Sequence, residues 1–82
     1  MSKMIYNNIH SLYVQKTDAV HYIKDYINKH YNNVYDIKIR EIKYDKYTKN
    51  WTSHISFNDD ANSHELAIIL NNNTIIFVKE FK

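Results

Sequence analysis

From Tyr35 onward apolar and polar residues alternate in twos, whereas upstream of it the spacing is helical. Tyr35, Ile37 and Ile39 alternate with Asp36, Lys38 and Arg40, the pattern of a strand with one buried face. After Arg40 the phase slips by one residue, so that Ile42 and Tyr44 become the apolar positions and Glu41 and Lys43 the polar ones. Such a slip would turn every later side chain to the wrong face. A β-bulge near Arg40–Glu41 absorbs it and bends the strand. The polar run Asp45–Asn50 reads as a turn, since Asp and Asn tolerate turn conformations. Trp51, Ile55 and Phe57 then alternate with Thr52, His54 and Ser56 in a second strand, completing a long, bent hairpin.

Upstream, Val20, Ile23, Ile27 and Tyr31 form one apolar stripe at helical spacing, with Tyr22 and Tyr26 beside it. Thr17 is expected to cap the start of this helix, with Asp18 in the first turn, where the dipole favours a negative charge. Lys29 and His30 fall in the last turn, and Asn32–Asn33 offers a left-handed stop. Ile5, Ile9, Leu12 and Tyr13 also recur at helical spacing, giving a second short helix; the alternative is a strand through Leu12–Val14. No Pro separates the two helical segments, which are free to run together.

Downstream, Asn58–His64 is a polar connection. Leu66, Ile68 and Leu70 alternate with Ala67 and Ile69, which marks a strand covered at least partly on both faces. Asn71–Asn73 is a tight turn, and Thr74–Phe81 a final strand with Ile75 and Phe77 expected opposite Ile76 and Val78. The expected architecture is a single α+β domain over residues 1–82: an N-terminal segment 1–16, a helix 17–32 and an antiparallel sheet 34–81. One or two helical segments would lie across a curved meander of three to four strands. Ile68, Ile69, Ile75 and Ile76 exceed what one buried face needs, so some of them are available to a second copy or another partner.

The helix ending in Tyr31, the Asn32–Asn33 pair and the bent strand Val34–Tyr44 resemble small cystatin-like proteins of low-GC Gram-positive bacteria. The resemblance covers roughly Val20–Leu70 and implies a helix wrapped by a bent sheet. It does not extend to membrane anchoring or protease inhibition, because the chain has neither the lipoprotein Cys nor the Gly of the cystatin wedge loop.

Composition narrows the chemistry. The chain has 82 residues and no Cys, which removes disulfides, thiol nucleophiles and thiolate metal sites. A chain of this size buries only about 60–65% of its unfolded surface, so its stability margin is thin. The absence of Gly removes Gly-rich phosphate loops and leaves left-handed backbone positions to Asn and Asp, and the eleven Asn cluster at the expected turns. Residues favoured by A/T-rich codons (Phe, Tyr, Met, Ile, Asn, Lys) number 46 against four of the G/C-favoured Gly, Ala, Arg and Pro, which points to a low-GC bacterium or one of its phages. No apolar run approaches the ~20 residues that span a bilayer, and the start does not read as a signal peptide, so a soluble, cytoplasmic protein is expected.

The positive charge is concentrated in the hairpin. Between residues 38 and 51, Lys38, Arg40, Lys43, Lys46 and Lys49 stand against Glu41 and Asp45, a net of +3 in a chain of +2; the remainder sums to −1. Tyr44, Tyr47 and Trp51 are interleaved with these cations. Cations with aromatic rings anchor protein interfaces, and they also hold phosphates and stack bases. These eight residues are the expected partner-binding surface, set against the plainer reading of a solvated, Lys-decorated strand that resists edge pairing.

Other chemistry is poorly supported by spacing. His21 and His30 fall on nearly opposite sides of a helix, and His54 and His64 have no ligand at a recognisable offset, so no metal is expected. Asp59-Asp60-Ala61-Asn62 with Glu65 lacks the Gly and distal Glu of a Ca²⁺ loop and reads as a solvated turn. No nucleophile elbow or acid–base pair is marked, and neither an enzyme nor a cofactor is expected. The expected function is a small non-enzymatic inhibitor, of the anti-defence or anti-CRISPR type, from a phage or mobile element. It would dock on a larger host protein or nucleoprotein. A nucleic-acid-binding protein using the same hairpin and a homodimeric structural protein are the alternatives.

Overall fold

The computed structural model describes the backbone of residues 2–81 and the side chains of residues 14–81. Helix α1 (Ser2–His30) is followed by four strands, β1 (Tyr35–Asp45), β2 (Asn50–Asn58), β3 (Ser63–Asn71) and β4 (Thr74–Phe81). The strands form one antiparallel meander in the order β1-β2-β3-β4, the α+β arrangement read from the pattern. The two helical segments are one helix. Thr17 therefore lies inside α1 instead of capping it, and residues 12–14 are helical rather than extended. The side chains of Ile5, Ile9, Leu12 and Tyr13 lie outside the described residues.

Ala19, Ile23 and Ile27, four residues apart, are the buried stripe of α1; Val20, expected in that stripe, is only half-buried. They pack with Trp51, Ile55 and Phe57 of β2 and Leu66, Ile68 and Leu70 of β3. Ile37, Ile39, Ile42 and Tyr44 of β1 and Ile75 and Val78 of β4 close the sides of this core. Ser53 is the buried polar side chain within it, and its hydroxyl donates to the Ile68 carbonyl at 2.8 Å. That bond offsets the cost of placing a hydroxyl among apolar groups.

Both interruptions of the alternation have a structural counterpart. The register of β1 against β2 shifts between Ile39 and Glu41, which makes Arg40 the extra residue and keeps Ile39 and Ile42 both facing the helix. A second shift lies between Tyr35 and Lys38, where Asp36 has φ 56°. In β4 a shift at Ile76 breaks the expected facing: Ile75 and Val78 look inward, opposite Leu70 and Ile68, and Phe77 looks outward opposite Ile69. Of the four surplus Ile residues, Ile68 is buried, Ile75 and Ile69 are half-buried, and Ile76 is 56% exposed at the bulge.

Left-handed backbone falls where Gly would ordinarily stand. Asn72 and Asn73 have φ 50° and 63°, the two positive values of a two-residue hairpin turn. Asn33 (φ 56°) turns the chain between α1 and β1, and Lys49 (φ 62°) closes the β1–β2 turn. The two sheet edges differ. β1 is an edge broken by bulges and studded with charge, whereas β4 runs Thr74–Val78 without a charged residue.

Candidate functional site

Helix α1 covers one face of the sheet, and the other is open. Four cross-strand rows follow from the register on that open face. Lys38, Ser56, Glu65 and Phe81 form one, and Glu41, His54, Ala67 and Lys79 the next. Lys43, Thr52, Ile69 and Phe77 form the third, and Asp45, Asn50, Asn71 and Thr74 the last. On the β1 side Lys38 and Lys43 thus alternate with Glu41 and Asp45, and on the β4 side Lys79 stands between Phe77 and Phe81.

The structure divides the eight expected binding residues into three places. Lys38, Arg40 and Lys43 project from β1 on the open face, and the Arg40 Nε–H donates to Ser56 Oγ at 3.2 Å. Lys46, Tyr47 and Lys49 occupy the hairpin tip. Tyr44 and Trp51 point the other way. Trp51 is 7% exposed and lies in the core, with the half-buried Tyr44 ring tilted against it at 5.0 Å. Trp51, expected among the contact residues, packs as a core residue. The reason is its parity: it shares the β2 face of Ile55 and Phe57 and pairs with Tyr44 across the hairpin.

The tip is held in shape by its first residue. Asp45 Oδ1 accepts from the backbone N–H of Tyr47 at 2.8 Å, and the Asp45 carbonyl accepts from Lys49 N–H at 2.7 Å. The bond from Tyr47 holds the Asp45 carboxyl below the usual range. Tyr47 is left 86% exposed, with Lys46 Nζ 5.5 Å from its ring centroid. On β1, Lys43 pairs with Glu41 at 2.8 Å, which lowers the Glu41 carboxyl and raises the Lys43 ammonium. Both side chains are more than half exposed, so the pair contributes little stability.

Two clefts lie at opposite ends of the sheet, the first on its open face and the second on the side of α1. One of about 450 Å³ lies between Lys38, Arg40 and Ser56 on one side and Glu65 and Phe81 on the other. A second of about 570 Å³ sits at the opposite end, among Tyr44, Lys49, Trp51 and Asn71–Asn73.

A polar cluster that spacing did not reveal locks the other end of the sheet. His64 Nδ1 lies 2.8 Å from Glu80 Oε2, and His64 Nε2 lies 2.8 Å from Asp59 Oδ2. Its ring stacks on Phe57 at 5.0 Å and meets Tyr31 at 4.8 Å. The Tyr31 hydroxyl donates to Glu80 Oε1 at 3.0 Å, so that helix, loop and last strand meet at one imidazole. Carboxylates at both nitrogens favour the imidazolium form of the ring. The bond to Glu80 raises its pKa most, and Asp59 adds to that against the cost of burial. Asp59 is lowered chiefly by the backbone N–H groups of Asn62 and Ala61. Burial, followed by the bond to Glu80, pushes the Tyr31 phenol up to about 12. The partners of His64 are five and sixteen residues away, and only strand pairing brings them together.

The ring nitrogens of His64 face opposite ways, so its two carboxylates do not converge on a point. Among the described residues no group of three or more His, Cys, Asp or Glu side chains is placed to hold a metal ion. His54 Nε2 is 3.3 Å from Glu65 Oε2, near enough for an ion pair when protonated but not aligned as a hydrogen bond.

The pH dependence of the His64 lock has a definite sign. Its folded pKa is raised above the ordinary value of about 6.5, so its stabilisation is complete below about pH 6.5 and is lost as pH rises through the folded pKa. The Asp59 contribution is present above about pH 4 and is lost as pH falls through its lowered pKa. Urea midpoints are expected to be highest near pH 5–6 and to fall toward pH 8–9. His64→Gln is expected to flatten the alkaline arm, and an unchanged slope in that variant would remove His64 as its source.

The fold and its surface define a two-layer α+β domain with an open sheet, a charged edge strand β1 and a protruding hairpin tip. No protein-family model, curated protein or solved structure matches the chain. Among the described residues no helix is long and apolar enough to cross a membrane.

Proposed function

We propose that the protein is a non-catalytic docking module that acts by binding, and thereby blocking, a larger host protein or nucleoprotein. The observation that carries this reading is the hairpin tip. Tyr47 stands 86% exposed between Lys46 and Lys49, on a turn fixed by Asp45. A large ring held out in a set geometry loses little freedom on binding, which is the character of an interface anchor. Lys38 and Arg40, which project from β1 on the open face, add to the tip lysines and favour an acidic partner surface or a protein carrying nucleic acid, while Lys43 is paired with Glu41. The A/T-biased composition, the small size and the lack of any catalytic spacing fit an inhibitor of the anti-defence, anti-CRISPR type carried by a phage or mobile element.

Expression of the protein in cells with active CRISPR interference is expected to restore plaque formation by a targeted phage. Tyr47→Ala, and Lys46→Glu with Lys49→Glu, are expected to reduce that protection at least tenfold while the circular dichroism spectrum stays unchanged. Equal protection by wild type and both variants would remove the tip from function, and no protection by the wild type would remove the anti-CRISPR assignment.

A further inference from the structure

On its β4 side the open sheet face carries an arrangement that docking through the tip does not use. Phe77, Lys79 and Phe81 follow one another on the outward side of β4, two residues apart. At strand spacing that sets ring, ammonium and ring at intervals of roughly 6–7 Å. Both rings are about half exposed, at 47% and 41%, and Lys79 Nζ lies 5.5 Å from the Phe81 centroid. Across the sheet in the same rows stand Lys38 and Lys43, with Arg40 at the bulge beside them. Lys38, Arg40 and Lys79 are in no ion pair among the described residues. The two carboxylates in the same rows as these rings and cations, Glu41 and Glu65, face Lys43 and His54. Lys38, Lys43, Lys79 and, at the bulge, Arg40 stand against Glu41, Glu65 and the Asp36 that lines the same cleft, which leaves this part of the face at +1.

We infer that this face binds single-stranded nucleic acid, with bases stacked on Phe77 and Phe81 and the phosphate backbone led across the sheet toward Lys38, Arg40 and Lys43. The interleaving of exposed rings with cations chooses the occupant. The core of a protein–protein patch is depleted of charge, whereas here an ammonium separates the two rings and three more cations face them. A polymer that alternates anionic phosphates with flat bases satisfies that interleaving, and an open antiparallel sheet with exposed rings is a surface on which unstacked bases can lie. A duplex keeps its bases stacked inside and cannot use the rings. The floor between ring and cation is the 450 Å³ cleft beside Ser56, which leaves room for a sugar and its phosphate.

Fluorescence anisotropy with labelled oligonucleotides of about 12 nucleotides tests this, using RNA, DNA of the same sequence and the corresponding duplex. The arms with RNA and DNA decide which source of single strand is preferred. Saturable binding of a single strand is expected, weaker for the duplex. With three to four phosphates engaged, the log–log salt slope should be about −2 to −3, a loss of roughly 20- to 60-fold between about 50 and 200 mM salt. Phe77→Ala and Phe81→Ala are each expected to weaken binding about tenfold, and Lys79→Gln to reduce the slope by about 0.7. All three positions are substantially exposed, so thermal melting should show the variants folded. Tyr47→Ala, which tests the docking tip, should bind the oligonucleotides as wild type does. Absence of single-strand binding at low salt, equal affinity for the duplex, or wild-type affinity in both Phe variants would overturn the inference. Nuclease-resistant capture of a purified target protein that is lost in Phe77→Ala would likewise overturn it, by making the face a protein interface.

Discussion

Trp51→Ala is expected to lower the unfolding free energy by about 3–5 kcal/mol. At roughly 0.05–0.15 kcal/mol per residue, an 82-residue domain has about 4–12 kcal/mol in all, so the variant approaches the edge of folding. The cost arises because the indole is 7% exposed, tilted on Tyr44, and paired in register with Tyr44 on one side and Leu70 on the other. Truncation leaves a void that four strands and a helix cannot close without moving their own contacts. Trp51→Phe keeps most of the volume and is expected to cost less than about 2 kcal/mol. Urea unfolding followed by circular dichroism at 222 nm measures both. An Ala variant within about 1 kcal/mol of wild type would mean that the ring contributes little to the core.

Ile27→Asp is expected to be at least as damaging at neutral pH. Ile27 is fully buried where α1 meets the sheet, and a carboxylate there has no cation within the hydrophobic cluster. Burying an unpaired charge costs several kcal/mol, so the group would take up a proton instead and its pKa would rise. The variant is therefore expected to lack a cooperative transition near pH 7 and to recover part of it near pH 5. Ile27→Val, by contrast, is expected to cost about 1 kcal/mol. Equal destabilisation by Asp at both pH values would show that the loss of packing, and not the charge, sets the effect.

The strands and the first bulge were legible because each follows from a binary pattern. The slip after Arg40 leaves no alternative if Ile39 and Ile42 are both to be buried, and the register shift lies there. The second slip, at Ile76, was hidden because Ile75, Ile76, Phe77 and Val78 are all apolar and either facing is consistent with the letters. That one bulge decides whether Phe77 is core or surface. Similarly, Thr17 has the side chain of a cap, but the upstream residues continue the helix, and a cap works only where a helix starts. Trp51 was grouped with the cations by sequence distance, though its parity with Ile55 already assigned it to the core. The cluster of Tyr31, Asp59, His64 and Glu80 had no local signal, since its members meet only when helix, loop and final strand are assembled.

The unequal edges of the sheet set a limit on self-association. Backbone groups along Thr74–Val78 carry no neighbouring charge and are interrupted by the one bulge at Ile76, whereas β1 combines two irregularities with a row of charges and is the better guarded edge. Two copies joined β4 to β4 would each leave only the guarded strand outermost, which disfavours growth beyond a pair.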